Sequence, residues 1–223
     1  DSTGPLSSPV DSTAYDLLNR ITSKTNSLGG VTSFTYDALS RQLTQTDPDP
    51  DGAGPLSSAV TTLTYSASGL SQVTDTLSRS VSYSRDGQGR ITSATDGSGN
   101  VTSFTYDYYS NVLSKTEPDP DGAGALGRPV TTFSYDVANR QIQKVDPRSG
   151  STIYAYDKAN NLTSLTDSSS NTTNFGYDGM NRLILNTNAL SKSQSYTYDV
   201  AGNMVRSTDR NGKVIEYDFD TLD

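Results

Sequence analysis

The chain has no cysteine, no histidine and no tryptophan in 223 residues. Without cysteine there are no disulfides and no thiolate chemistry, and the redox compartment cannot be read from cysteine usage. Losing both Cys and His excludes the usual zinc sites, Cys nucleophiles and Ser-His-Asp triads. Hydrophobic residues make up only 32%, which is low for an ordinary globular domain. A layer with one apolar face is therefore expected rather than a thick core. No run of about 20 apolar residues exists, so no membrane span is expected, and Asp1 to Ser8 does not read as a signal peptide. Cationic charge is also scarce: the net charge is −8 and the pI near 4.5. An acidic surface repels phosphate backbones, so nucleic acid is not an expected partner, whereas divalent cations are compatible with it. The chain opens without Met and stops within a repeat at Asp223, so a mature chain or a fragment is expected.

What is abundant is hydroxyl and ring. Ser and Thr account for 62 residues, and 14 Tyr and 5 Phe recur at regular positions, which a disordered chain would lack. The recurring unit is Tyr36-Asp37-Ala38-Leu39-Ser40-Arg41. Its marker Tyr returns as Tyr15, Tyr36, Tyr65, Tyr106, Tyr135, Tyr156, Tyr177, Tyr198 and Tyr217, with Arg85 in the same slot of one copy. Successive spacings are 21, 29, 20, 21, 29, 21, 21, 21 and 19. A fixed period of this kind is the signature of a repeat architecture.

Asp follows the marker in every copy except at Ser66. Four residues after the marker only Gly, Asn or Ser occurs: Asn19, Ser40, Gly69, Gly89, Ser110, Asn139, Asn160, Asn181 and Gly202. That restriction predicts a turn position with positive φ, which Gly tolerates best and Asn next. The leading Asp can accept amides two residues on and close the turn. Arg20, Arg41, Arg90, Arg140 and Arg182 come next, and Arg41 is expected to pair with a neighbouring turn. A second turn opens about ten residues later at Asn26, Asp75, Asp96, Asp146, Asp167, Asn188 or Asp209. Its own positive-φ candidates are Gly29, Ser78, Gly99, Ser149, Ser170, Ser191 and Gly212. Two turns per repeat leave two segments of strand length, rich in the Thr, Val, Ile, Phe and Tyr that favour strands.

Before each marker the pattern alternates. Phe34, Leu63, Tyr83, Phe104, Phe133, Tyr154, Phe175, Tyr196 and Ile215 share a face with the marker. Thr35, Thr64, Ser84, Thr105, Ser134 and Thr197 lie on the other. The expected fold is all-β: tandem β-hairpin repeats forming a rolled or spiralling antiparallel sheet, β-solenoid-like, with no helix of note. Residues 1-223 read as a single continuous array with enlarged loops at 47-60 and 117-130. The rings are expected to pack as a core ladder, a sugar-stacking platform being the alternative.

The enlarged loops read Asp47-Pro48-Asp49-Pro50-Asp51-Gly52-Ala53-Gly54 and Glu117-Pro118-Asp119-Pro120-Asp121-Gly122-Ala123-Gly124, and Gly4 to Val10 preserves the tail of a third copy. Three alternating acids before Gly resemble the start of a calcium loop. Asp47, Asp49, Asp51, Glu117, Asp119 and Asp121 are thus the candidate Ca2+ ligands. The bidentate Glu of such a loop is missing, since Ser58 and Arg128 stand at its twelfth position, and a proline-stiffened solvated loop accounts for the same residues. The sequons at Asn100, Asn161 and Asn171 fit N-glycosylation, and Ser168-Ser169-Ser170 could take O-glycans. Acid pairs recur in every copy, so they read as turn residues rather than a catalytic pair. Arg79 and the stretch Arg85 to Arg90, where the repeat departs from its pattern, read as drift.

Tyr36-Asp37 to Arg41, Arg85-Asp86 to Arg90 with Thr95-Asp96-Gly97-Ser98-Gly99-Asn100, and Tyr198-Asp199 to Asn203 resemble the YD-repeat family, which includes Rhs proteins and teneurins. The resemblance covers essentially the whole chain. It implies a long sheet of hairpins spiralling into a hollow shell. Bacterial members are secreted or surface proteins whose shell can enclose a C-terminal toxin; animal members are cell-adhesion receptors. The repeats here are too few to close a large shell, and neither a toxin domain nor the capping core that follows the repeats in the family is seen. The function expected is a non-enzymatic, extracellular or cell-surface structural protein, a shell or head-to-tail filament that self-associates through its array ends. A glycan- or cell-surface-binding adhesin segment, with Tyr108 and Tyr109 as outward contacts, and the repeat portion of a toxin-encapsulating shell are the alternatives.

Overall fold

Short β-branched and aromatic segments, each closed by a turn that needs positive φ, leave the chain little choice but consecutive hairpins. The computed structural model describes residues 10–219 except Ala53, Ala123 and Ala125. The insert remnant expected at Gly4 to Val10 therefore lies, Val10 apart, outside the described residues. Contacts divide the chain into two units, Asp1–Phe104 and Thr105–Asp223.

The first unit holds β1 (Ser12–Tyr15), β2 (Ile21–Thr25), β3 (Val31–Tyr36), β4 (Gln42–Thr46), β5 (Val60–Ser66), β6 (Gly69–Thr74), β7 (Ser80–Arg85) and β8 (Ile91–Thr95). β9 (Val101–Tyr106) begins in the first unit and ends in the second. The second holds β10 (Val112–Thr116), β11 (Val130–Tyr135), β12 (Gln141–Val145), β13 (Ser151–Tyr156) and β14 (Leu162–Thr166). It continues with β15 (Thr172–Tyr177), β16 (Leu183–Thr187), β17 (Ser193–Tyr198), β18 (Met204–Thr208) and β19 (Val214–Glu216). Within each unit every strand pairs antiparallel with the next in sequence. No helix occurs among the described residues, as the turn-rich 21-residue period predicts.

The two faces differ in chemistry. In the first unit Thr35, Thr44, Thr62, Thr74 and Ser80 stand opposite one another across five strands. Thr35 Oγ1 meets Thr44 Oγ1 at 2.6 Å. In the second unit Thr105 Oγ1 meets Ser114 Oγ at 2.7 Å. Cross-strand hydroxyl pairs of this kind each contribute about 0.2–1 kcal/mol. The opposite face carries the rings, and there the structure departs from expectation. Phe34, Tyr36, Tyr65, Phe133 and Tyr156 are half-buried, and no described side chain is fully buried. The rings do not form a closed core because no described element lies over their face. A sheet with one uncovered apolar face must draw stability from links within the layer.

Those links begin at an irregularity. Where each marker residue enters its turn the register shifts by one, at Tyr15, Tyr36, Tyr65 and Arg85 in the first unit. In the second unit the same happens at Tyr135, Tyr156, Tyr177 and Tyr198. A bulge leaves a residue out of the ladder and bends the strand.

All the turn positions singled out for positive φ adopt it, from Asn19 (61°) and Ser40 (61°) to Ser191 (58°) and Gly212 (82°). Gly52 and Gly122, both at 64°, add the same conformation inside the enlarged loops. Ser149 holds φ 65° with a side chain that bonds to no described group. Ser149→Gly is expected to raise unfolding free energy by about 1 kcal/mol, since a Cβ in the left-handed region costs about that much. Ser149→Val is expected to lower it by more than that; urea denaturation of the two variants measures the sign.

Candidate functional site

The repeated feature with the densest chemistry is the junction between one hairpin and the next. In the turn at Asp37, the carboxylate Oδ1 accepts the amides of Leu39 and Arg41, both at 2.9 Å. Its Oδ2 accepts Arg41 Nε at 2.7 Å. The backbone closes beneath, Asp37 N donating to Arg41 O at 2.9 Å and Ser40 N to Asp37 O at 3.0 Å. One carboxylate thus organises three donors, two of which would otherwise be orphaned in the turn. The same arrangement recurs at Asp16, Asp86, Asp136 and Asp178 with Arg20, Arg90, Arg140 and Arg182. Asn replaces Arg at Asn161 and Asn203, where the amide Nδ2 donates to Asp157 and Asp199 instead. The second turns use the same device. Asn26 and Asn188 accept the amides of Leu28 and Leu190 with a neutral oxygen, so the turn itself needs an acceptor rather than a charge.

Arg41 was expected to pair with a neighbouring turn. Its first partner is its own Asp37, because the spacing of four residues brings the guanidinium back over the turn it has just left. The reach to the neighbour is made by other guanidinium nitrogens: Arg20 Nη1 donates to Asp37 O at 3.0 Å, Arg140 Nη1 to Asp157 O at 2.8 Å and Arg182 Nη1 to Asp199 O at 3.0 Å. On the way the guanidinium lies over the next marker ring. Arg20 sits 4.9 Å from the Tyr36 centroid, Arg41 4.5 Å from Tyr65, Arg140 4.8 Å from Tyr156 and Arg182 4.7 Å from Tyr198. Tyr15, over which no described Arg lies, is 56% exposed.

The Tyr hydroxyl completes the junction. The ladder between β2 and β3 stops at Ser23–Ser33; just beyond it, Tyr36 Oη donates to Ile21 O at 2.7 Å. Tyr156 and Tyr198 repeat the bond to Gln141 O and Leu183 O, each 15 residues upstream. In the copies with enlarged loops, Tyr65 and Tyr135 reach Gln42 O and Val112 O, 23 residues upstream, which is the same place with the insert added. Arg85, read from sequence as drift, does the work of the missing Tyr. Its Nε donates to Leu70 O at 3.2 Å, 15 residues upstream, and its Nη1 to Gly89 O at 2.7 Å. The signal was present in the unbroken spacing of the Arg85 copy, but only the register supplies the acceptor.

Most of the turn carboxylates are held below the usual Asp range. At Asp16, Asp37 and Asp178 the backbone amide of the following Arg is the largest cause. At Asp75, Asp86 and Asp136 it is the Arg side chain, and at Asp96, Asp157 and Asp167 the Asn side chain. Burial, with the Asp107 charge nearby, pushes the Tyr135 phenol up and keeps it a donor.

The candidate calcium ligands spend their oxygens locally. In the first enlarged loop Asp47 Oδ1 accepts Gln45 Nε2 at 2.8 Å, Asp49 Oδ1 the Asp51 amide at 3.2 Å and Asp51 Oδ2 the Leu56 amide at 3.1 Å. In the second, Glu117 Oε1 meets Lys115 Nζ at 2.7 Å, Asp119 Oδ1 the Asp121 amide at 3.3 Å and Asp121 Oδ2 the Leu126 amide at 3.1 Å. The carboxylate of Asp51 folds so closely over Gly54 that a Cβ there would collide with it, and Asp121 does the same over Gly124. Among the described residues no three acidic side chains gather in a metal-binding group. The sequon amides are engaged too: Asn100, Asn161 and Asn171 each donate Nδ2 to the Asp that opens their turn. Tyr108 and Tyr109 point outward at a turn tip, 82% and 70% exposed, their rings 5.4 Å apart and edge to face.

These junctions define a protein built by repetition of one hairpin unit. The family model of the RHS Repeat matches residues 15–52, 65–101, 86–122 and 156–189, and the chain belongs to that family. Among solved structures it is similar to TcdB2-TccC3-Cdc42, with TM-score 0.61, 15% identity, and 89% of this chain aligned to 13% of the other. A TcdB2-TccC3 structure without the hypervariable C-terminal region aligns with TM-score 0.61 at 14% identity, over 89% of this chain and 13% of the other. A Tc holotoxin pore from Photorhabdus luminescens aligns with TM-score 0.58 at 14% identity, over the same shares. At these identities the likeness is one of fold, and the chain spans about an eighth of the length of those chains. No curated protein matches it in sequence.

Two outcomes follow for the junction. Tyr156→Phe is expected to lower unfolding free energy by about 0.5–1.5 kcal/mol, the net value of one hydrogen bond. A cycle combining Arg140→Asn with Tyr156→Leu, the Asn being the residue the repeat itself uses at that position, is expected to show a coupling of about 0.5–1 kcal/mol. The pH dependence has a fixed sign. Carboxylates depressed in the folded state stabilise it above their unfolded pKa, near 4. That stabilisation is lost as pH falls through the lower folded values, so a melting temperature flat from neutrality to about pH 4 and falling below it is expected in an acid titration.

Proposed function

We propose that this chain is a wall segment of a non-enzymatic, extracellular shell, in which its hairpin junction is repeated along a longer sheet. The observation that carries the reading is the uniformity of that junction. The Tyr hydroxyl meets the same upstream carbonyl at Tyr36, Tyr65, Tyr135, Tyr156 and Tyr198, with or without an insert between them, and Arg or Asn follows the turn acid that precedes it. An enzyme needs a group of side chains set apart from the repeat, whereas here the repeated acids are engaged in closing their own turns. The enlarged loops fit the same role as rigid, self-bonded surface features, with Asp49, Asp51, Asp119 and Asp121 turned to amides of their own loops. The array 1-223 is read as continuous. Among the described residues its end strands, β1 and β19, each pair on one side, and hairpins of neighbouring segments, or of further copies, can add at the other. A shell of the kind formed by toxin-carrying family members and a head-to-tail filament use these edges alike.

The native polypeptide should be isolated from the extracellular fraction, weighed by mass spectrometry and imaged by electron microscopy. A hollow particle built from a chain far longer than 223 residues is expected. A discrete 23.8 kDa monomer, or a chain retained in the cytosol, would contradict the reading.

A further inference from the structure

Of all the asparagines in the chain, only Asn211 is followed by glycine. The pair lies in the turn Asp209-Arg210-Asn211-Gly212-Lys213, which joins β18 to β19. Asparagines elsewhere put their side chains to use. Asn100, Asn161 and Asn171 donate Nδ2 to the acid of their turn. Asn26 and Asn188 accept turn amides with Oδ1. Asn211 does neither: it is exposed, and its side chain bonds to no described group.

Gly212 supplies the other half of the pair. It holds φ 82°, and a Cβ built on it would meet nothing within 4 Å, so the peptide bond it shares with Asn211 is open to solvent on that side. One bond holds its nitrogen back: Gly212 N donates to Asp209 O at 3.0 Å. That bond closes a short arm of the sheet. β19 is three residues long, exposed throughout, and among the described residues pairs with β18 alone. A segment with so few covered contacts opens locally without global unfolding. Arg210 and Lys213 flank the pair, and positive charge nearby favours an amide anion.

We infer that Asn211 is a modification site, which converts without an enzyme to isoaspartate and thereby loosens the turn that holds β19. The Gly212 amide nitrogen, once deprotonated, attacks Asn211 Cγ; a C–N bond forms, ammonia leaves and a succinimide closes. Water then opens the ring. Addition at Cγ breaks the new C–N bond and gives Asp. Addition at the main-chain carbonyl breaks the original peptide bond and leaves the chain running through the side chain, as isoaspartate. The two products differ in what they do to the turn. Asp keeps the backbone path. Isoaspartate inserts a methylene ahead of two donors, Gly212 N and Lys213 N, which now sit 3.0 Å from Asp209 O and 2.9 Å from Asp209 Oδ1. The longer path carries both away from their acceptors and leaves them unpaired. It also sets a second carboxylate beside Asp209, whose own carboxyl is held below the usual range by the Lys213 and Asn211 amides and so stays charged. The inference stands on this turn alone and does not depend on whether the chain belongs to a shell or a filament.

The test ages the folded chain in mildly alkaline buffer and follows it by peptide mapping, with an isoaspartyl methyltransferase to tag the product. Isoaspartate is expected at Asn211 before any other asparagine changes, and faster as pH rises, because the attacking species is the amide anion. Hydrogen exchange on the aged chain is expected to show loss of protection at the amides of Asp209 and Lys213 and along β19. Two variants separate the causes. Asn211→Ser uses the residue that Ser98 and Ser169 supply at the same place in other turns; it should stay unmodified and keep its protection on ageing. Asn211→Asp adds the charge without lengthening the main chain, and when freshly prepared should keep its protection as well. Asn211 intact in the folded chain once the urea-unfolded chain has converted, a rate indifferent to pH, or isoaspartate formed with Asp209 and Lys213 still protected overturns the inference.

Discussion

The structure depends on one constraint: a backbone that reverses direction every ten or so residues must satisfy its turn amides without a core to hide them in. The acid that opens most turns, or the Asn that opens two of them, meets it, taking the amides two and four residues on with one oxygen. The left-handed residue before the last of these amides follows from that geometry, since only a chain bent back on itself aims both N–H groups at one point. Everything further along the junction uses what the acid leaves over. Its second oxygen fixes the guanidinium, and the fixed guanidinium covers the next ring. The ring's hydroxyl then takes the carbonyl that the bulged strand does not pair.

This order of dependence explains a stable layer with no fully buried side chain. In a sandwich or a barrel, apolar area removed from water supplies most of the favourable free energy. Here each ring is only half covered, and the cover comes from the preceding turn rather than from a second layer. Stability is then a sum over nearest-neighbour junctions, as in other linear repeat arrays. Such a sum tolerates insertion. Eight extra residues enter at the second turn of two copies, and the hydroxyl-to-carbonyl bond reforms at the same atom. It also tolerates substitution by function rather than by shape, as where Arg85 supplies the donor that a Tyr supplies elsewhere.

The local part of this design was legible in the sequence. A position restricted to Gly, Asn and Ser has one simple backbone reason, and Asn19, Ser40, Asn139 and Asn181 all adopt the conformation it predicts. Strand alternation was equally plain, because Thr35 and Phe34 must face opposite sides. What sequence reading missed were contacts that depend on register: Tyr36 to Ile21 O and the role of Arg85; a reach from Arg to a neighbouring turn was expected, but not that its acceptor is a backbone carbonyl, as in Arg20 to Asp37 O. A one-residue bulge at each marker decides which carbonyl falls opposite the phenol, and no residue type announces it. The expectation of a core ladder went astray for a related reason, since periodicity shows which residues share a face but not whether anything covers it.

The central claim, that turn carboxylates rather than a core hold the layer, is tested most directly by hydrogen exchange at single amides. Leu39 and Arg41 belong to a surface turn, and in a chain stabilised by burial their amides would exchange like those of any exposed loop. The account predicts that they exchange as slowly as the strand amides of β3 and β4, and that Asp37→Ala releases the amides of that turn together with those flanking Tyr65. Rapid exchange at Leu39 and Arg41 in the unmodified protein, with the strands still protected, would contradict it.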